Sequence, residues 1–383
     1  MAAGVQRPVA EKLRSPWWVH YVAHCRLTTE AAMKLADIIP LRARYLNPGY
    51  FALVMATGIV SIDASQHDMQ DIAQALFAFN LVAYAWLLAL TALRLTHYRR
   101  ELVADFANPS RGAGFLTFAA GTCVLGSQCL QVVRLPMLAA VLAMVGAAAW
   151  AVLTYLFFAA TITARFKPGF TRSINGGWLV AVVATEALST LLTLLAASRA
   201  DPGHLHFLAL CLYMLGAALY LLIITLVVYR MVFFPLRASE FTPPYWIDMG
   251  ALAIITLAGS LIITHAPASG PIVELLPFVK GFTVFFWATA TWWIPLLVIL
   301  EAWRHLRRHV RFHYEPDDWD IVFPIGMYTV CTYELAHALP ADFLLAIPAT
   351  GVYVSLAMWV LVAVAGVHHM QRKLHAARHV ASG

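Results

Sequence analysis

The chain has 383 residues, of which 61% are hydrophobic and only 12% are charged, and its formal net charge is +6. In a soluble domain roughly a quarter of the residues are charged, so this composition excludes an ordinary soluble globular protein. The positive charge accompanies apolar stretches and gives no argument for nucleic-acid binding. The cysteines show no CxxC spacing, which disfavours a disulfide framework or a zinc site; they are Cys25, Cys123, Cys129, Cys211 and Cys331.

The chain begins with a basic segment, residues 1–47, that precedes the first long apolar run. It contains no apolar region followed by a small-residue cleavage site, so a cleavable signal peptide is not expected. Residues 27–45 place apolar residues between Lys34, Arg42 and Arg44, which predicts a short helix on the membrane surface. A disordered tail up to about residue 25 is an equal alternative.

Ten apolar runs follow, each about 20 residues long, the length that crosses ~30 Å of hydrocarbon. They lie at 48–65, 71–93, 112–133, 136–163, 174–198, 205–229, 245–265, 272–303, 318–338 and 341–367. Residues 368–383 form a basic tail. The sequence therefore predicts an all-α integral membrane protein with a ten-helix domain at 48–367.

Lysine and arginine are distributed almost entirely on one side of these runs. The first segment, the connections after even runs and the tail hold 23 of the 26 basic residues. The other side holds only Arg134 and Arg199, and Lys280 lies inside a run. Because basic loops remain in the cytoplasm, both termini are predicted to be cytoplasmic, in a plasma or bacterial inner membrane.

The odd and even runs differ in character. Odd runs are rich in small and hydroxyl residues, whereas even runs are bulkier and more uniformly apolar. Intramembrane hydroxyls recur at Thr57, Thr122, Thr185, Thr256 and Thr329. Aromatic residues recur near the start of each odd run, at Phe51, Phe115, Trp178, Trp246 and Trp319. The pattern indicates a weak fivefold repeat of a helical hairpin, with polar inner helices around a pathway. The alternative is that small residues only allow tight helix packing.

The threonines of the odd runs are the candidate lining of that pathway. Hydroxyl groups and backbone without rings of lysine or arginine donate hydrogen bonds but do not trap an ion. Such a lining suits fast and weakly selective passage of small anions.

Four segments resemble the tellurite-resistance/dicarboxylate-transporter family. This family includes bacterial tellurite-resistance proteins, fungal malate permeases and sulfite exporters, and plant slow anion channels. The segments are NPGYFALVMATGIVSI, GFLTFAAGTCVLG, FFWATATWWIPLLVILEAWRHL (Phe285 to Leu306) and WDIVFPIGMYT (Trp319 to Thr329). The resemblance runs from about Asn47 to His369.

The resemblance implies five helical hairpins around a central pore, usually in a homotrimer with one pore per subunit. It also implies a pore-blocking phenylalanine on the ninth helix, and Phe323 occupies the matching position. The adjacent Pro324 removes a helix hydrogen bond and should kink the helix. An ordinary packed core phenylalanine is the alternative. Inner helices of the family often contain prolines, yet only Pro324 lies well inside an odd run here, so the shape of the pore does not transfer in detail.

Two further charged residues each have a functional and a structural interpretation. Glu186 is the only carboxylate near the middle of a run, where an ionised group is costly, so it is a candidate for proton coupling. A protonated or hydrogen-bonded structural glutamate is an equal alternative. Lys280 would attract anions toward the pathway, or its ammonium group would extend to the lipid headgroups.

The predicted function is transport of small anions, either C4-dicarboxylates such as malate and succinate or inorganic anions. A proton-coupled efflux carrier for sulfite or tellurite resistance is the main alternative. A haem-bearing anchor is disfavoured, because the histidines within runs (His206, His265 and His337) lie near the ends of their runs. The absence of HExxH, GxSxG and P-loop patterns argues against an enzyme. No cofactor, metal or nucleic acid is expected; the expected partners are the anion, the bilayer and copies of the chain.

Overall fold

The computed structural model describes residues 42–165, 167–198, 203–267, 271–307 and 314–381, with side chains as far as residue 372. Most of the surface helix predicted within 27–45 lies outside the described residues. Within the described ranges there are helices and turns but no strand. We number the long helices α1 (Ala52–Gln66), α2 (Gln70–His97), α3 (Leu116–Gln131), α4 (Pro136–Thr163), α5 (Val180–Ala197), α6 (Gly203–Phe233), α7 (Ile247–Thr264), α8 (Pro271–Ala302), α9 (Trp319–Ala338) and α10 (Ala346–Ala381).

These helices have the length and composition of membrane spans. Among the described residues, nine helices are long and apolar enough to cross a membrane. Helix α9 is less apolar, because it carries Asp320 and Glu334, and it packs against α7, α1 and α10. The last helix continues to Ala381, well into the predicted tail, since no glycine or proline follows Gly366 before its end. The predicted all-α membrane fold is confirmed.

The five odd helices form a closed inner ring, in which each contacts the next and α9 returns to α1. The even helices lie outside this ring. Of the spanning residues, 78–94% are buried in α1, α3, α5 and α7, against 17–50% in the even helices. A helix that is apolar on all sides and only partly covered by protein presents its remaining surface to lipid. The five predicted hairpins are therefore arranged as polar inner and lipid-facing outer helices.

A 3-10 turn precedes each inner helix. The turns are Pro48–Phe51, Ala113–Phe115, Gly176–Leu179, Pro243–Trp246 and Pro316–Asp318. Each turn contacts the next around the bundle, and the fifth contacts the first, so they form a second closed ring. The five recurrent aromatic residues lie within these turns or directly after them. All inner helices thus begin at the end that carries the arginine-rich connections, which we call the basic end.

The contacts between turns are close enough to require particular residues. A Cβ atom on Gly176 would lie 2.3 Å from the carbonyl oxygen of Pro244, so no side chain fits there. The amide nitrogen of Asn47 donates to the carboxylate of Asp317 at 2.7 Å, which joins the first turn to the fifth. The side-chain oxygen of Asn47 accepts the backbone N–H of Gly49 at 2.9 Å and so caps its own turn.

The hairpin arrangement makes a prediction about topology. Reporter fusions after Arg100, Lys167 and Arg237 should report the same side of the membrane as a fusion at the C-terminus. Fusions after Ser65, Pro136 and Pro340 should report the other side. The reason is that each hairpin crosses twice and returns the chain to the basic end. Paired phosphatase and fluorescent reporters measure this, and a C-terminal fusion on the side of Ser65 would refute the even number of crossings.

Candidate transport pathway

A small cavity of about 10 Å³ lies on the axis of the inner ring. Such a volume holds about one water molecule. All five inner helices contribute to its lining, which consists of Ile59, Ile62, Val124, Ser127, Gln131, Ala187, Thr190, Ile254, Leu257 and Met327. The lining is mostly apolar, carries three polar side chains and contains no charged residue. The axis is therefore narrow and nearly dry, and hydrogen-bond donors occur at only a few positions.

Two hydroxyl groups in this cavity lack partners. The side-chain oxygens of Ser127 on α3 and Thr190 on α5 are buried and make no hydrogen bond to any described residue. A buried hydroxyl without a partner costs about 1–3 kcal/mol. Both groups line the same cavity, so a water molecule or an ion on the axis would find two available donors.

The threonines predicted to line the pathway have other contacts. The hydroxyl oxygen of Thr57 lies 3.0 Å from the indole nitrogen of Trp359 on α10, which donates to it. The Thr122 hydroxyl lies 2.9 Å from that of Tyr84 on α2. The indole of Trp150 on α4 donates to Thr185 at 2.8 Å. These three hydroxyls therefore join the inner ring to the outer helices, and the three threonines are not among the residues that line the cavity.

The remaining two recurrent threonines also have partners within the protein. The Thr329 hydroxyl donates to the carbonyl of Ile325, and a Cβ on Gly351 of α10 would lie 2.7 Å from it. The Thr256 hydroxyl donates to the carbonyl of Leu252 within its own helix. The five hydroxyls thus mark a repeated structural position, and none of the five threonines is among the residues that line the central cavity.

The outer helices carry the matching half of this repeat. On α8, the indole of Trp287 donates to Thr332 at 3.0 Å, and on α6, Tyr220 donates to the carbonyl of Asp248 at 3.2 Å. Together with the three contacts above, one aromatic residue on each even helix bonds to the following odd helix. These residues are Tyr84, Trp150, Tyr220, Trp287 and Trp359. The repeat predicted from the sequence therefore has a physical cause, because each pair of neighbouring hairpins uses one such bond.

The sequence also carried a signal for the two hydroxyls that line the central cavity. Ser127 and Thr190 each follow a recurrent threonine, Thr122 and Thr185, by five residues. At roughly 100° per residue, five residues correspond to a rotation of roughly 140°, so the two sets lie on nearly opposite faces of their helices. Because Thr122 and Thr185 contact the outer helices, Ser127 and Thr190 face the central cavity.

Phe323 lies on the same face of α9 as the cavity residue Met327. The Pro324 ring packs on Gly250 of α7, where a Cβ would lie 2.7 Å from it, and Gly326 packs against Ile59 and Val60 of α1. The sector of α9 between these two contacts holds Phe323 and Met327, since residues four apart share a helix face. Met327 lines the cavity, so Phe323 lies roughly 6 Å further toward the basic end. The Phe323 side chain is buried, at 1% exposure.

The prolines of this chain match only in part those that the family resemblance implies for inner helices. Within the described helices, interior prolines occur at Pro324 in α9 and at Pro277 and Pro295 in α8, which is an outer helix. The inner ring therefore has one proline-bearing helix, and it is the helix that carries Phe323.

Glu186 packs against α6. Its neighbour Ala187 lines the cavity, whereas a Cβ on Gly216 of α6 would lie 2.1 Å from the Glu186 carboxyl oxygen Oε1. Neither carboxyl oxygen makes a hydrogen bond to a described residue, and the side chain is fully buried. The carboxyl group therefore lies between α5 and α6, outside the axis.

Lys280 lies on the exposed surface of α8, an outer helix. The neighbouring Phe278 is 53% exposed, as expected of a lipid-facing surface. This position fits an ammonium group that extends toward the headgroups, and it gives Lys280 no contact with the central cavity.

The basic end of the axis also carries carboxylates. Asp317 lies in the turn before α9 and accepts a hydrogen bond from Asn47 at 2.7 Å. Burial raises the pKa of Asp317, Glu315 raises it further, and the Asn47 hydrogen bond and Arg111 lower it. Asp320 follows in the first turn of α9 and is also buried. These groups lie at the N-terminus of α9, where the helix dipole stabilises negative charge.

Comparison with known proteins agrees with this architecture. Residues 45–367 match the SLAC1 family of voltage-dependent anion channels. An uncharacterized membrane protein of Mycobacterium tuberculosis is 41% identical over 152 residues, covering 40% of this chain and 77% of that protein. An uncharacterized transporter of Methanocaldococcus jannaschii is 23% identical over 313 residues, covering 79% of this chain and 86% of its own.

A fungal relative has a more specific name. The sulfite efflux pump of Arthroderma otae is 22% identical over 339 residues, covering 82% of this chain and 88% of that protein. The family match includes every inner helix and every residue of the central cavity. The chain is therefore a multi-pass membrane protein that belongs to the SLAC1 family of voltage-dependent anion channels.

Proposed function

We propose that this protein moves small anions along the axis of the inner ring, with Phe323 as the gate. The observation that carries the proposal is the pair of unpartnered hydroxyls, Ser127 and Thr190, in a central cavity without lysine or arginine. Hydroxyl donors bind an anion weakly, which allows it to leave, whereas a buried cation would hold it. We infer that this structure is the closed form of the pathway, with Phe323 as its gate. A cavity of about 10 Å³ is too small for a hydrated anion.

The direction of the inner helices supports an anionic substrate. All five begin at the basic end, and each helix N-terminus carries a partial positive charge of roughly half an elementary charge. Their sum favours anions at this mouth and offsets the negative charge of Asp317 and Asp320. We infer that the basic end faces the cytosol of a plasma or inner membrane, with both chain termini on that side.

We propose two classes of substrate. Inorganic anions and C4-dicarboxylates both fit a hydroxyl lining without fixed charge. Sulfite is the inorganic candidate with specific support, because a relative that matches over most of both chains is named a sulfite efflux pump. We further propose a homotrimer with one pore per subunit, as the family resemblance implies.

Flux assays in liposomes test the pathway. The double variant Ser127→Ala with Thr190→Val should lower anion flux about thirtyfold, since two hydrogen bonds to the ion are lost at about 1 kcal/mol each. Chloride, nitrate, sulfite, malate and succinate should be compared in both proteins. The matched control is Thr122→Val with Thr185→Val, which removes the same number of hydroxyls from the outer-helix contacts. Equal flux in the lining variant and the wild-type protein would contradict the proposed lining.

A proton-coupled carrier is the second candidate, and the unpartnered carboxyl group of Glu186 favours it. The contact of Glu186 with Gly216 on α6, and its absence from the cavity lining, favour a channel. For a channel, Glu186→Gln should leave flux and its pH dependence unchanged, because glutamine keeps the volume against α6. For a coupled carrier, the variant should lose uptake driven by a proton gradient and retain anion exchange. Uptake with imposed pH steps distinguishes the two.

A further inference from the structure

A groove at the basic end lies outside the pathway. It forms where α2 meets the short helix Arg99–Phe106, and its cavity has a volume of about 450 Å³. Basic side chains dominate its walls, which include Arg44, His97, Arg99 and Arg100, and Glu101 is the only acid among them. A concave surface with several guanidinium groups is suited to a phosphate or another compact anion.

Ion pairs centred on Asp105 fix the shape of this groove. Arg94, only 3% exposed, donates to the carbonyl of Leu46 at 2.7 Å and to the carboxylate of Asp105 at 2.5 Å. Arg111 lies 3.0 Å from the other oxygen of Asp105. These contacts hold the segment before α1, the end of α2 and the short helix together. The groove is thus a built feature of the fold.

The groove retains positive charge after its internal contacts are counted. The single acid, Glu101, accepts from Arg44 at 2.9 Å. Arg99 uses its Nε–H for the carbonyl of Leu95 at 2.9 Å, which leaves its four other N–H groups. Arg100 is exposed and forms no ion pair with any described residue. Arg99 and Arg100 are therefore available to an anionic ligand.

The position of the groove indicates which anion it receives. Leu95, on the last turns of α2, is 50% exposed, and Val103, on the short helix, is 62% exposed. Leu95 directly precedes the groove residue Thr96, and Val103 follows the groove residue Glu101 by two positions, so exposed apolar side chains flank the groove in the chain. This is the arrangement expected where hydrocarbon meets headgroups. We propose that the groove binds the phosphate headgroup of an anionic phospholipid from the leaflet at the basic end.

The test uses the full-length protein in detergent, titrated with short-chain phosphatidylglycerol, short-chain phosphatidylcholine or inorganic phosphate. Binding is measured by native mass spectrometry and by thermal stabilisation. Phosphatidylglycerol should bind and stabilise, and Arg99→Gln with Arg100→Gln should weaken this binding at least about tenfold. The control, Lys167→Gln with Arg237→Gln, removes the same charge from exposed positions at the same end and should bind normally.

Three results would overturn the proposal. Equal binding of phosphatidylcholine would remove the requirement for an anion, and equal binding of inorganic phosphate would identify a soluble ligand. Equal weakening in the control variant would indicate general surface charge. If the double variant does not fold, Arg44→Gln is tested in its place. This change removes only one partly exposed ion pair, so the variant should fold. Arg44→Gln should then weaken phosphatidylglycerol binding, and unchanged binding would refute the site.

Discussion

Replacing Phe323 by alanine should raise anion flux about tenfold or more. The residue lies one turn from Met327 of the central cavity, on the same face of α9. If Phe323 is the proposed gate, removing its ring widens the pathway, and each ~1.4 kcal/mol taken from the translocation barrier raises the rate about tenfold. The measurement is chloride, nitrate or sulfite flux in liposomes, normalised to folded protein.

The control is Phe51→Ala at the basic end of α1. The Phe51 ring packs at 5.1 Å from Phe118 and 5.9 Å from Tyr84, between α1, α2 and α3. Truncating such a packed ring costs roughly 3–5 kcal/mol and should lower the yield of folded protein without raising flux per molecule. Unchanged or reduced flux in well-folded Phe323→Ala protein would refute the gate. The ten-helix architecture would be unaffected by that result.

Gly176→Ala should abolish most of the folded protein. The added methyl carbon would lie 2.3 Å from the carbonyl oxygen of Pro244 and 2.7 Å from the Cα of Tyr245. Both atoms are backbone, so relief requires the third and fourth turns of the basic-end ring to separate. Overpacking of this kind costs ~3 kcal/mol or more where no side chain is able to rotate away. Fluorescence-detected size-exclusion chromatography and the melting temperature measure the loss.

Gly169→Ala is the matched control in the same connection. A Cβ at Gly169 would meet nothing within 4 Å among the described residues. A surface substitution without contacts changes stability by at most about 0.5 kcal/mol, so this variant should elute and melt like the wild-type protein. Normal stability of Gly176→Ala would mean that the two turns are not in contact, and equal loss in both variants would indicate a general effect of this connection.

The sequence by itself determined the helices and their order across the membrane. Backbone groups in hydrocarbon must be bonded within their own segment, so an apolar run of about 20 residues has to be a helix. The arginines that follow each even run then predict the direction of every crossing. Both signals are local, and for this reason the five hairpins were predictable without tertiary information.

The candidate site was only partly predictable, because recurrence along the chain does not report rotation about the helix axis. Thr57, Thr122 and Thr185 recur as a lining would, yet they bind aromatic residues of the outer helices. Ser127 and Thr190 recur at the same spacing on the opposite face. Which face meets the axis depends on contacts with two neighbouring helices, and only the packed ring specifies them.

Rotation about the helix axis also explains why the sequence did not show where the charged candidates point. The depth of Glu186 and Lys280 in the membrane was readable from their runs, but their directions, toward Gly216 and toward the exposed surface, were not. For Phe323, the Pro324 and Gly326 contacts with α7 and α1 fix the rotation of α9. The sequence alone thus determined the number, length and direction of the helices, since hydrophobic length and loop charge are one-dimensional quantities. The tertiary structure decided which side chains face the axis, since that depends on how closely ten helices pack.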